Sequence, residues 1–219
     1  MIPIQDVIPT RLVPVATYTL LALNIVGYLT EVQANGDASA RTVGGLTVAA
    51  LIDAVRATFL HAALLPFAIN VLFLWLFGGT VEDQLGRLRF VALYLICGTA
   101  AVVLSRMVNP ASPVPAIGGS LAIAAVMGAY FVLFPNAKVL ILVPIPIALH
   151  EVPAAVVFTI WCAAQFLALA VILAQTGAPD ATVGSALAAY VLAFAMGAAF
   201  CFALRRKERA HVEWWDPRD

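Results

Sequence analysis

Charge is what this sequence has least of. Its 219 residues hold 12 Lys and Arg against 12 Asp and Glu, or 11% charged, where an ordinary soluble domain carries about a quarter. So few ionised groups do not clothe a water-facing surface, and a soluble fold is excluded. The net charge is zero and no basic cluster is interleaved with aromatics, so no nucleic-acid partner is expected. Histidine is also rare: His61, His150 and His211 are the only three, which limits any chemistry that needs an imidazole. The three cysteines, Cys97, Cys162 and Cys201, lie in apolar runs and lack metal-ligand spacing. They read as small buried hydrophobes, with no disulfide framework, metal or cofactor implied. The first 13 residues lack a cleavable signal pattern, so the first apolar run reads as a retained anchor.

What is abundant is hydrophobicity, 63% of the chain. Six runs approach the roughly 17–25 residues a bilayer requires: Val13–Leu29, Ala62–Phe77, Leu88–Val108, Gly118–Phe134, Ala154–Ala174 and Val183–Leu204. Backbone polar groups in lipid must be satisfied within the segment, so each is expected to be helical. The expected fold is an all-α polytopic membrane bundle of six transmembrane helices, residues 13–204, with a cytoplasmic segment at 1–12 and a cytoplasmic tail at 205–219. The orientation follows from Lys and Arg. With the N-terminus inside, the inner segments hold Arg11, Arg87, Arg89, Lys138 and the Arg205–Arg209 cluster, and the outer ones only Arg41, Arg56 and Arg106. Both termini are therefore expected in the cytoplasm, and the protein in the cell membrane. No Asp, Glu, Lys or Arg interrupts the middle of a run, which argues against a transporter or channel.

The connections differ. Thr30 to Leu60 is long, and Leu46–Phe59 within it patterns as a short amphipathic helix lying in the interface. Val139 to Ala148 carries Pro144 and Pro146 and reads as an interfacial segment. Glu82, after Gly78-Gly79, is expected to pair with nearby backbone or with Arg87 or Arg89. On the fourth run Ser120, Ala124 and Gly128 are spaced by four, and on the sixth so are Ser185, Ala189, Ala193 and Gly197. Such stripes let helices pack closely in lipid.

Gly118-Gly119-Ser120, Gly128-Ala129-Tyr130 and Phe134-Pro135 form one set of motifs. Phe59-Leu60-His61 with Asn70, Leu74-Trp75-Leu76-Phe77-Gly78, and Val81-Glu82-Asp83 with Leu85-Gly86-Arg87 form another. With these the chain resembles the rhomboid intramembrane serine proteases in their six-helix form, over nearly its whole length. The resemblance implies a serine nucleophile on the fourth helix, at Ser120, and a histidine base on the sixth. Ala189, Ala193 and Gly197 fit the family's spacing around that histidine, and Tyr190 stands in its place. Asn70 takes the family's oxyanion position. Pro66 replaces a histidine four residues before it, and Leu121 replaces the glycine after the serine.

The substitutions bear on chemistry. A serine hydroxyl needs a neighbour to take its proton. A phenol titrates near 10 and stays protonated at neutral pH. Loss of a general base costs about 100- to 10,000-fold, and loss of an oxyanion donor about 100- to 1,000-fold. His150 and His211 fall on the cytoplasmic side, leaving His61 as the substitute base to consider, against the plainer reading of an interfacial anchor. Ser120 reads equally as a helix serine bonded one turn back, Tyr190 as a buried aromatic with a paired hydroxyl, and Asn70 as a helix-to-helix hydrogen bond. Trp75 and Trp161 read as lipid-facing or core. The resemblance implies an inactive or impaired homologue that binds transmembrane segments of other proteins within the lipid bilayer. The alternative is an active endopeptidase using Ser120 with a non-standard base.

Overall fold

The computed structural model describes residues 2–8, 10–33, 47–61, 63–108, 118–144, 147–176 and 181–204. The chain opens with strand β1 (Ile2–Asp6), then runs through helices α1 (Val15–Gln33), α2 (Val48–Ala57) and α3 (Leu64–Leu85). Next comes α4 (Arg87–Ala92), which passes through a π-helical stretch (Leu93–Cys97) into α5 (Gly98–Val108) as one rod. Helix α6 (Gly118–Leu133), strands β2 (Lys138–Pro144) and β3 (Ile147–Pro153), and helices α7 (Ala154–Thr176) and α8 (Ala181–Leu204) complete it. The all-α membrane bundle expected from the apolar runs is the architecture, with a small sheet added at one end. Four of the long helical segments are long and apolar enough to cross a membrane, and α6 and the Ala154–Ala168 part of α7 are shorter apolar helices.

Helix α6 is the axis. Gly118 to Tyr130 are buried without a break, so α6 is surrounded by protein. Its closest neighbour is α8. A methyl group on Gly128 would collide with the Phe194 carbonyl of α8, and one on Gly197 with the Ala125 carbonyl of α6. The two small-residue stripes therefore bring backbone against backbone, which is the main attraction available between helices in lipid. Gly98 lets α5 approach α6 closely too, there against the methyl side chain of Ala122.

The bounds of the second run are corrected, and the expectation for Glu82 is met in part, through Arg87. The second run does not stop at Phe77: α3 continues through Gly78 and Gly79 to Leu85. Those glycines mark a contact, since a Cβ on Gly78 would lie 2.9 Å from Thr17 Cγ2 of α1. Glu82 consequently sits in a helix, and its carboxylate caps α1. It accepts from Ala16 N at 3.0 Å, Thr17 N at 2.7 Å and Thr17 Oγ1 at 2.8 Å, with Arg87 Nε 3.8 Å away. Asp83 Oδ1 accepts from Leu12 N at 3.1 Å. Glu82 thus satisfies two orphan donors at the start of another helix, and Asp83 holds the segment that leads into it.

The Val139–Ala148 connection, expected as an interfacial segment, is built of strand. β2 and β3 form an antiparallel hairpin, and β1 from the N-terminal segment adds to β2 in the order β1-β2-β3. Val139 and Ile141 are buried and Lys138 is exposed, the alternation of a half-buried strand. Pro144 and Pro153 close their strands, where no ladder donor is needed. Helix α2 lies where an amphipathic helix is expected. Its Ala50, Ala54 and Ala57 face the protein while Val48, Leu51 and Ile52 face outward. Residues 34–46, His211, and the 205–219 tail lie outside the described residues.

Candidate functional site

Ser120 is the third residue of α6, and the way the helix begins sets its surroundings. Gly118 lies against the Ala57 carbonyl at the end of α2, and Gly119 lies under the imidazole of His61. A Cβ at either position would collide, so the two glycines let α6 start deep against the α2–α3 connection. Ser120 is itself buried, 4% exposed.

Its hydroxyl is engaged by two neighbouring side chains. Asn70 of α3 donates from Nδ2 to Ser120 Oγ at 2.7 Å. Tyr190 of α8 is hydrogen-bonded through its side chain to Ser120. On its other side, Asn70 Oδ1 accepts from Trp161 Nε1 at 3.1 Å and Gln165 Nε2 at 2.6 Å, both on α7. An indole N–H only donates, so it must meet Asn70's oxygen, and the amide's NH2 is thereby turned toward Ser120. Five buried side chains from α3, α6, α7 and α8 form one chain of bonds with Asn70 at its centre. The motif residues Ser120, Asn70 and Tyr190 meet in space. Gln165 has no motif to announce it, and Trp161 reads from sequence only as lipid-facing or core. The available signal is their spacing by four, with the one amide in the middle of the fifth run placed one turn beyond an indole.

His61 is close by but separate. Its ring is 3% exposed and edge-on to Phe67, with centroids 5.4 Å apart. Nδ1 lies 3.3 Å from the Phe59 carbonyl. A carbonyl only accepts, so Nδ1 carries the proton. Nε2 is then left as a buried lone pair with no partner among the described residues. Burial holds the imidazole neutral, lowering its pKa to about 4 despite the Phe59 bond. No hydrogen bond joins His61 to Ser120 among the described residues. His150 lies exposed on β3, beyond the far end of α6.

Between α7 and α8 the bundle is loosely filled. Phe158, Trp161 and Phe166 of α7 meet Phe194 and Tyr190 of α8 through ring contacts of 5.4 to 6.2 Å. They leave a cavity of about 290 Å³ floored by Ala124. The polar atoms of the Ser120 cluster are spent on one another, so the cavity walls are apolar. Among the described residues there is no cluster of His, Cys, Asp and Glu suited to a metal ion, and none of the three cysteines forms a disulfide.

A family model for the Rhomboid domain matches residues 48–207, well over half of the chain. The chain belongs to the rhomboid family. Among curated relatives of this rhomboid protein is "Rhomboid protein 1, mitochondrial" of Saccharomyces cerevisiae, 32% identical over 104 residues, which covers 45% of this chain and 30% of the relative. Another is "Presenilin-associated rhomboid-like protein A, mitochondrial" of Danio rerio, 31% identical over 94 residues, covering 42% of this chain and 24% of the relative. The matched stretch thus spans under a third of either relative's length. Family and fold together make the rhomboid chain an integral, multi-pass protein whose surroundings are the lipid bilayer.

Proposed function

We propose that this chain keeps the rhomboid scaffold without its proteolysis and binds transmembrane segments of other membrane proteins without cutting them. One observation carries the reading: the group bonded to Ser120 from α8 is a phenol, Tyr190. A phenol donates a hydrogen bond readily but, being protonated at neutral pH, takes a proton poorly. Asn70 is also committed, with both ends of its amide in bonds inside the bundle, and Pro66 offers no side-chain donor where the family's pattern has a histidine. The position for a client is the membrane-facing side of α7 and α8, where the apolar cavity opens between loosely packed helices. Both termini are assigned to the cytoplasm on the Lys and Arg distribution, and the cell membrane is the proposed location. The two relatives are mitochondrial by name, so the assignment is tested separately, by tagging each terminus and fractionating the cell.

A second reading rests on His61. A neutral imidazole with an unpaired Nε2 packs against Gly119, next to Ser120. If α6 shifted so that Nε2 met Ser120 Oγ, an active endopeptidase would result. A fluorophosphonate probe separates the two. On the first reading the purified protein in lipid is not labelled at Ser120 and leaves a single-span peptide intact, while site-specific photo-crosslinkers on α7 and α8 recover single-span proteins. Labelling that disappears in both Ser120→Ala and His61→Ala would establish the second reading and end the first.

A further inference from the structure

The sheet end of the molecule holds a buried carboxylate that the Ser120 cluster does not use. Asp6 ends β1. Its Oδ2 accepts from Thr80 Oγ1 of α3 at 2.8 Å, and its Oδ1 accepts from Tyr130 OH of α6 at 3.0 Å and from Ile8 N at 3.3 Å. One side chain, 5% exposed, therefore joins the terminal strand to two helices of the bundle. The strand's other attachments are few. β1 has five residues, pairs among the described residues with β2 alone, and slips register between Pro3 and Gln5. Short edge pairings of this kind open at low free-energy cost. The sheet it completes leads directly into α7 through Pro153 and Ala154, and Ala154 N donates to the Ala137 carbonyl at 2.8 Å.

We propose that β1 is a releasable strap across the sheet end of the bundle and that Asp6 is its clasp, tightened by uptake of a proton.

Among the described residues, the groups bonded to Asp6 are uncharged. From α3 it meets the Thr80 hydroxyl, and from α6 the Tyr130 hydroxyl. The nearest acids on α3, Glu82 and Asp83, are turned to the start of α1. On β2, Lys138 reaches Glu151 of β3 at 3.1 Å, and Arg87 lies against Glu82. Arg11 follows on the connection to α1. Asp6 itself forms no ion pair among the described residues. Burial without a cation raises its carboxyl from the ordinary 3.8 to about 6, against the opposing pull of the Thr80, Ile8 and Tyr130 bonds. A released strap is solvated and titrates near the ordinary value. The docked strap therefore binds the proton more tightly, and docking weakens as pH rises toward about 6 and then levels off. From pH 8 down to pH 5 the docking equilibrium strengthens about tenfold.

Hydrogen exchange on the full chain in lipid nanodiscs tests this, read at the β1 segment and at the Val7 amide, which donates to the Lys138 carbonyl. After correction for intrinsic exchange rates, β1 is expected to be about tenfold better protected at pH 5 than at pH 8. Asp6→Asn is expected to abolish that pH dependence. Thr80→Val, which removes a donor favouring the ionised form, is expected to move the midpoint upward. Wild-type protection that does not change with pH overturns the proposal, as does a tenfold change retained in Asp6→Asn. Should Asp6→Asn not fold, a midpoint unmoved in Thr80→Val overturns it instead.

Discussion

Asn70 Oδ1 accepts from two donors on α7 while Nδ2 donates to Ser120, so one residue gathers the side-chain bonds of Trp161 and Gln165 and passes them to α6. The two ends of that link are not equal. Gln165→Leu removes one donor and leaves Asn70 Oδ1 with its Trp161 bond. The expected cost is within about 0.6 kcal/mol, the usual worth of an interhelical hydrogen bond in lipid. Asn70→Leu leaves the Trp161 and Gln165 donors buried with no acceptor, and the expected cost is about 2 kcal/mol or more. Reversible unfolding in micelles measures both, and equal costs would remove Asn70 from the centre of the cluster. At this scale the sequence is legible where a motif fixes spacing: Ser120, Asn70 and Tyr190 are each named by their neighbours in the chain. Gln165 is not, because one amide in an apolar run has no pattern around it and acquires its partner only when α7 folds against α3.

The helices themselves are legible because lipid leaves a long apolar run no other conformation. Their ends are less so, since ends depend on partners. α3 passes through Gly78 and Gly79 because α1 packs there and needs Glu82 as its cap. The π-helical stretch at Leu93–Cys97 has no sequence signal comparable to a proline. The hairpin was obscured by Pro144 and Pro146, which read as breakers although the described one lies at a strand end. The glycine stripes make the sharpest test of packing. Gly197 faces the Ala125 carbonyl, whereas Gly184, on the same helix, has nothing within 4 Å of an added methyl. Gly197→Ala is expected to destabilise by about 1–3 kcal/mol, the range for an overfilled core. Gly184→Ala is expected to be neutral or slightly stabilising, as alanine is the better helix former. The same micelle unfolding assay compares them, and a neutral Gly197→Ala would mean that α6 and α8 are not in backbone contact.

Across the whole molecule two buried titratable groups stand near opposite ends of α6 and respond to acid in opposite directions. His61 has its pKa lowered from 6.5 to about 4 by burial. The unfolded chain therefore takes up that proton first, and His61's contribution to stability is complete above pH 6.5 and lost as pH falls toward 4. Asp6 has its pKa raised from 3.8 to about 6. The folded chain takes up that proton first, so its contribution is complete below about pH 4 and lost as pH rises through 6. The two windows overlap and their spans are similar, each on the order of 3 kcal/mol at 1.36 kcal/mol per pKa unit. In the wild type they offset, so the dependence on pH from these two groups is nearly flat between 6 and 4. Removing either one exposes the other. Relative to wild type, His61→Gln is expected to gain stability as pH falls from 6.5 to 4, and Asp6→Asn to lose stability over the same interval. The double substitution returns to a flat difference. Unfolding free energies of the four proteins at pH 6.5, 5 and 4 decide the point. Single variants whose differences from wild type keep one sign and size at all three values would show that neither group is buried as the structure places it.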